Sequence, residues 1–167
     1  MKPIVNLNDL MQEKLCTIYD SEKQLKNKLP LILKKTTDGR LRNLIGTFVE
    51  EQENQRWRLK QVFEELFLQK SGKECEAIKA MLDEIKELDQ CCMDTEVMDA
   101  GIITTLQHVI HYQIADYGAV SNYANTLELF KVANKIHLNL EEKKIMDKKL
   151  AILAEEWVNL KAKEVRV

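Results

Sequence analysis

Glycine and proline are scarce in this chain, with five and two among 167 residues. Turn-forming material is therefore sparse, and the secondary-structure elements are expected to be long and few. No Cys-x-x-Cys pair occurs among the four cysteines, Cys16, Cys75, Cys91 and Cys92, which argues against a zinc knuckle or a thioredoxin-type site. Reduced thiols in a cytoplasmic protein are the expectation. Apolar runs are short, and none reaches the roughly 18 residues that a membrane-spanning helix needs. The opening stretch from Met1 to Asn8 has no apolar segment of signal-peptide length. A basic excess is also missing: net charge is -2 and pI about 6.0, so no bulk positive field points to nucleic acid. No phosphate loop, nucleophile elbow or zinc motif is present.

What the chain does have is 45% hydrophobic and 31% charged residues, the mixture of an amphipathic helical domain. Its length suits one domain with a sizeable core, expected over about residues 7–160 with a short tail from about Lys161 to Val167. Met11, Leu15, Ile18, Leu25, Leu29 and Ile32 recur at alternating fours and threes, which puts them on one face of a helix. The one gap in that series holds Glu22. A lone carboxylate on a buried face needs a cation, a metal or a polar partner.

This first helix is expected from Asn6 or Asn8, either of which can cap it, to about Lys35, with Pro30 inside. Asp38 caps a second helix whose stripe runs Leu41, Ile45, Phe48, Gln52, Gln55, Leu59, Val62 and Leu66, with Glu51 on its shoulder. A break is expected at Lys70–Lys73. A shorter helix follows from Glu74 to about Leu88, with Ala77, Met81, Leu82, Ile85 and Leu88 inward. The third long helix starts after Asp94 or Thr95 and carries Ala100, Ile103, Gln107, Ile110, Ile114, Tyr117, Ser121 and Ala124, with His111 and Gln113 at the flanks. The fourth shows Val132 or Ala133, then Ile136, Leu140, Lys143, Asp147, Leu150, Ala154 and Trp157. Period-two alternation is nowhere found, so the fold class is all-α. Two hairpins with short turns, joined by a long helical crossover between helices two and three, predict a ferritin-like four-helix bundle.

In such bundles inward carboxylates and histidines from four helices hold two metal ions. The inward polar positions here are Glu22, Glu51, Gln52, Gln55, Gln113, Lys143 and Asp147, each near the middle of its helix.

The segments around these positions resemble a known family. "LCTIYDSEKQLKNKLP", "FVEEQENQRWRLKQVFE", "KECEAIKAML", "HVIHYQIADYG" and "LEEKKIMDKKL" are similar, in that order, to the helices of the YciF/YciE-like family of stress-associated bacterial proteins. The likeness covers the chain from about Leu7 to Ala154 and implies a ferritin-like fold with a di-metal site. The departures fall on the ligands. Where the family usually reads Glu-His-Tyr-Glu, this chain has Ile110, His111, Tyr112 and Gln113. Lys143 stands at an inward acid position, and Phe48 replaces a histidine. By this resemblance the surviving metal-ligand candidates are Glu22, Glu51 and Asp147, with Glu142 beside them.

A protonated lysine has no lone pair and cannot coordinate metal. The expectation is therefore a degenerate site in which Lys143 supplies the missing positive charge to Glu22, Glu51 or Asp147, within a buried network including Gln52, Gln55 and Gln113. The corresponding function is non-enzymatic, structural or stress-associated, without a cofactor. The alternative is an iron- or manganese-binding protein with oxidase-type or metal-handling activity at a reduced ligand set. Family resemblance also suggests a homodimer, with no nucleic-acid or membrane partner.

Overall fold

The computed structural model describes residues 3–69 and 74–164, so the break expected at Lys70–Lys73 and the end of the expected tail lie outside the described residues. Among the described residues the regular structure is entirely helical. Four long helices, α1 (Leu7–Lys35), α2 (Gly39–Glu65), α4 (Thr95–Thr126) and α5 (Phe130–Leu153), enclose the core, and α3 (Glu76–Cys91) is the crossover between α2 and α4. The helical path then continues through a π-helical turn, Ala154–Val158, into α6 (Asn159–Glu164). No described helix is long and apolar enough to cross a membrane.

Local chemistry sets the starts. Asn6 accepts from Asp9 N at 2.9 Å, Asp38 from Arg40 N and Leu41 N at 2.9 and 3.0 Å, and Asp94 from Glu96 N and Val97 N at 2.7 and 3.2 Å. Each satisfies amides that the first helical turn leaves unpaired. Helix α1 runs through Pro30 without ending; Pro30 is exposed.

Packing follows the apolar stripes. Helix α1 lies beside α2 and α4, and α5 also lies beside α2 and α4, so α1 and α5 face each other diagonally. Met11, Leu15 and Ile18 meet Leu59, Val62 and Phe63 in one half of the core, whereas Leu25, Leu29 and Ile32 meet Leu41, Ile45 and Phe48 in the other. That crossed pairing makes α1 and α2 antiparallel. The bonds from Gln107 to Asp147 and from Asn139 to Tyr117 do the same for α4 and α5.

Four expectations need correction. On α3 the inward Ala77, Met81 and Leu88 pack partly covered against the core, but the buried set also includes Ile78 beside Leu82 and Ile85, and the helix runs from Glu76 to Cys91. On α4 the buried face also includes Ile102, Leu106, Val109 and Val120, because α4 packs against α1, α3 and α5 and needs a wider apolar surface than one stripe. Lys161, expected in a tail, is in α6, and its Nζ lies 3.0 Å from Asp38 Oδ2. The π-helical turn inserts a longer step that changes the facing of the residues beyond it. Val158 is thereby buried, while Trp157 is only partly covered and donates from Nε1 to Asp38 Oδ2 at 2.8 Å.

Candidate functional site: a buried lysine–glutamate network

Midway along the bundle the two halves of the apolar core are separated by polar side chains. Glu22 and Lys143 are both fully buried, at 0% exposure. The Lys143 Nζ lies 3.1 Å from Glu22 Oε1 and 3.2 Å from Oε2. A buried carboxylate and a buried ammonium are each strongly unfavourable alone, and together they satisfy one another. Tyr117 donates its hydroxyl to Glu22 Oε1 at 2.6 Å. Asn139 Nδ2 donates to Tyr117 Oη at 3.2 Å and to the Gln55 carbonyl at 3.0 Å.

The Gln52 amide sits between the two charges. Turned with its nitrogen toward Glu22, it donates to Oε2 at 2.6 Å while its oxygen accepts from Lys143 Nζ at 2.7 Å. Turned the other way, Nε2 donates to Gln55 Oε1 at 3.0 Å instead. The first orientation suits a charged pair, because it gives the carboxylate a donor and the ammonium an acceptor. Phe48 closes the site on the Lys143 side, its ring centroid 5.1 Å from Nζ.

Burial shifts the titrations. It lowers the Lys143 pKa from the ordinary lysine value, against the opposing pull of Glu22. Burial, reinforced by the Glu22 charge, pushes Tyr117 well above the usual tyrosine range, so its hydroxyl stays a donor.

The other expected positions lie elsewhere. Asp147 faces outward, accepting from Gln107 Nε2 at 3.0 Å and lying 3.0 Å from His111 Nε2. Glu142 accepts from Arg58 and from Gln55 Nε2, the latter at 3.0 Å, at the edge of the network. The Glu51 Oε1 lies 4.0 Å from Lys149 Nζ, and burial raises the Glu51 pKa despite that lysine. Lys143 thus pairs with Glu22, and not with Glu51 or Asp147. Gln113 is buried but sits apart, donating to Ser21 Oγ at 2.8 Å, while its Oε1 has no partner. Ile110 is buried among apolar side chains. Among the described residues no three His, Cys, Asp or Glu side chains gather where they could hold a metal ion.

Two members of the network were not expected from the sequence. Asn139 stands one turn before Lys143 and three residues after Ile136, a spacing that could have revealed it. Arg58 carries no such signal, since its role depends on α5 lying beside α2.

The family described as "Domain of unknown function (DUF892)" matches residues 6–163. The chain belongs to this family. It is 34% identical over 157 residues to Protein YciF of Escherichia coli strain K12, covering 93% of this chain and 95% of that one. The crystal structure of the E. coli stress protein YciF superposes with a TM-score of 0.88 at 32% identity, over 93% of this chain and 99% of that one. YcfI from Rhodopseudomonas palustris, described provisionally as a structural protein, superposes with a TM-score of 0.86 at 33% identity, over 90% of this chain and 96% of its own. The DUF892 assignment is thus supported along nearly the whole chain in both sequence and fold.

Proposed function

We propose that this DUF892 member is a non-enzymatic structural or stress-associated protein built on a ferritin-like bundle, in which Lys143 supplies the positive charge that metal ions would bring. The observation that carries this reading is the Lys143 Nζ, fully buried and 3.1 Å from Glu22 Oε1. Its relatives' descriptions, a stress protein and a structural protein, favour the same role.

The donor set does not fit a pair of divalent ions. Such ions need several oxygen ligands converging on one space. Here the Glu22 oxygens are engaged by Lys143, Tyr117 and Gln52, and the latter two also fill hydrogen-bonding capacity that a cation would require. Asp147 and Glu142 are directed toward His111, Gln107, Arg58 and Gln55. An ammonium also repels any cation brought to Glu22. An iron- or manganese-dependent oxidase would have to work from that set, and no step is assigned to it.

Metal analysis of protein purified without chelator tests the proposal. Iron and manganese well below one ion per chain are expected, and about two per chain would overturn it. The converse test is Lys143→Glu combined with Ile110→Glu and Gln113→Glu, which is expected to bind iron or manganese measurably more tightly than the parent chain.

A further inference from the structure

Three side chains of the polar layer, an amine, a carboxylate and an amide, each touch the other two. Lys143 Nζ lies 3.2 Å from Glu22 Oε2 and, with the Gln52 amide turned toward the charges, 2.7 Å from the amide oxygen. The amide nitrogen is then 2.6 Å from the same Glu22 Oε2. None of the three residues is more than 1% exposed. Beyond bridging the two charges, the amide places an electrophilic carbon one bond from the oxygen that Nζ already contacts.

We propose that the folded chain joins Lys143 to Gln52 through an isopeptide bond, with Glu22 as the acid–base group and ammonia as the leaving group. This rests on the reading of Lys143 and Glu22 as an ion pair in place of metal, since a coordinated cation would occupy the carboxylate. The ion pair is the state before the reaction.

The atoms for each step are in place. Glu22 Oε2 takes one proton from the Lys143 ammonium, which frees the lone pair on Nζ. The burial that lowers the Lys143 pKa also lowers the cost of that transfer. Tyr117 donates to the other carboxylate oxygen, Oε1, at 2.6 Å and leaves Oε2 to carry the proton. The end torsion of a glutamine is broad, so the amide can turn its face toward Nζ without moving its stem. Nζ then attacks Cδ of Gln52, and the Nζ–Cδ bond forms. Glu22 passes its proton to the amide nitrogen, the Cδ–Nε2 bond breaks, and ammonia departs. Nζ gives its second proton to Glu22, so the product is a neutral amide beside a neutral carboxylic acid. Fixing the reacting groups in one buried site makes the step intramolecular, and the site keeps out the water that would compete for Cδ.

An amide is a weak electrophile, and beside Glu22 the ammonium is the majority form. The bond is therefore expected to be scarce in fresh protein and to accumulate over days. Once formed it ties α2 to α5 and restricts the unfolded chain as a disulfide does, without an oxidant.

The test is intact-mass measurement of the full chain, fresh and after prolonged incubation, both folded and in guanidinium chloride. Folded protein is expected to lose the mass of one ammonia from its 19.5 kDa, and protein kept in denaturant to lose none. Tryptic digestion is expected to show residues 43–56 joined to residues 136–144, with no cut after Lys143. This locates the loss, because asparagine cyclisation also releases ammonia but joins no peptides. Gln52→Met keeps Lys143 beside Glu22 and removes the electrophile; Glu22→Gln removes the acid–base group. Both variants are expected to keep their full mass. Full mass in the incubated, folded parent chain overturns the proposal, as does a linkage that forms in denaturant or persists in Glu22→Gln. Full mass together with low metal content would end this proposal alone and leave the structural reading in place.

Discussion

Glu22 on α1 and Lys143 on α5 meet across the diagonal of the bundle, 121 residues apart in sequence and 3.1 Å apart at Oε1 and Nζ. They anchor the polar layer: Tyr117 and Gln52 bond to the pair directly, and Asn139 joins it through Tyr117.

The pair should be indispensable singly and dispensable together. Lys143→Met leaves Glu22 buried without a cation and is expected to destabilise the fold by about 3–5 kcal/mol. Glu22→Gln with Lys143→Met removes both charges while keeping the side-chain volumes, and is expected to recover most of that loss. Urea unfolding of the two single variants and the double variant checks this. Equal losses in the single and double variants would mean that the charges do not compensate one another.

Gln113 offers a contrasting case. Its Oε1 is buried without a partner, and its Nε2 is committed to Ser21. An orphaned buried acceptor costs about 1–3 kcal/mol. Gln113→Met with Ser21→Ala removes donor and acceptors together and is expected to raise the melting temperature. Gln113→Met alone is expected to gain less, since it leaves the buried Ser21 hydroxyl unpaired.

Acid sensitivity should centre on Asp38. Burial alone would raise its pKa, but bonds from Leu41 N, Lys161, Trp157 and Arg40 N outweigh that and hold it at about 2. Its folded pKa is below the unfolded one of 3.8, so the contribution is present above pH 3.8 and is lost as pH falls toward about 2. A difference of this size is worth about 2 kcal/mol at neutral pH. Stability measured from pH 6 down to 2 should fall less steeply in Asp38→Asn than in the parent chain between these two pKa values. Identical slopes would remove Asp38 from the account.

Among the described residues three glycines, Gly46, Gly101 and Gly118, lie in helix interiors, where alanine is intrinsically better by about 1 kcal/mol. A Cβ at Gly46 in α2 or Gly118 in α4 would meet nothing within 4 Å, so each Ala variant is expected to be more stable by about that amount. At Gly101 the Cβ would stand 2.9 Å from Leu88 Cδ1 on α3, and the leucine tip must shift. Gly101→Ala is expected to gain less than the other two, which thermal melts compared side by side will rank.

The amino-acid sequence by itself determined the helical class, most of the apolar stripes and the cap at Asp38, and it narrowed two other caps to Asn6 or Asn8 and to Asp94 or Thr95, because these depend on spacing and on side chains bonding to amides within a turn. It also marked Glu22 and Lys143 as anomalies in apolar faces. Which anomalies meet was decided only by tertiary structure. Asp147 and Lys143 are four residues apart on α5, yet the small angular difference between them sends Lys143 to Glu22 and Asp147 outward to His111. Arg58 and Asn139 joined the network because α2 and α5 are neighbours, and Trp157 left its projected stripe through a π-helical turn that periodicity does not encode. Helical period fixes which residues share a face; the direction and depth of that face are set by the helices packed against it.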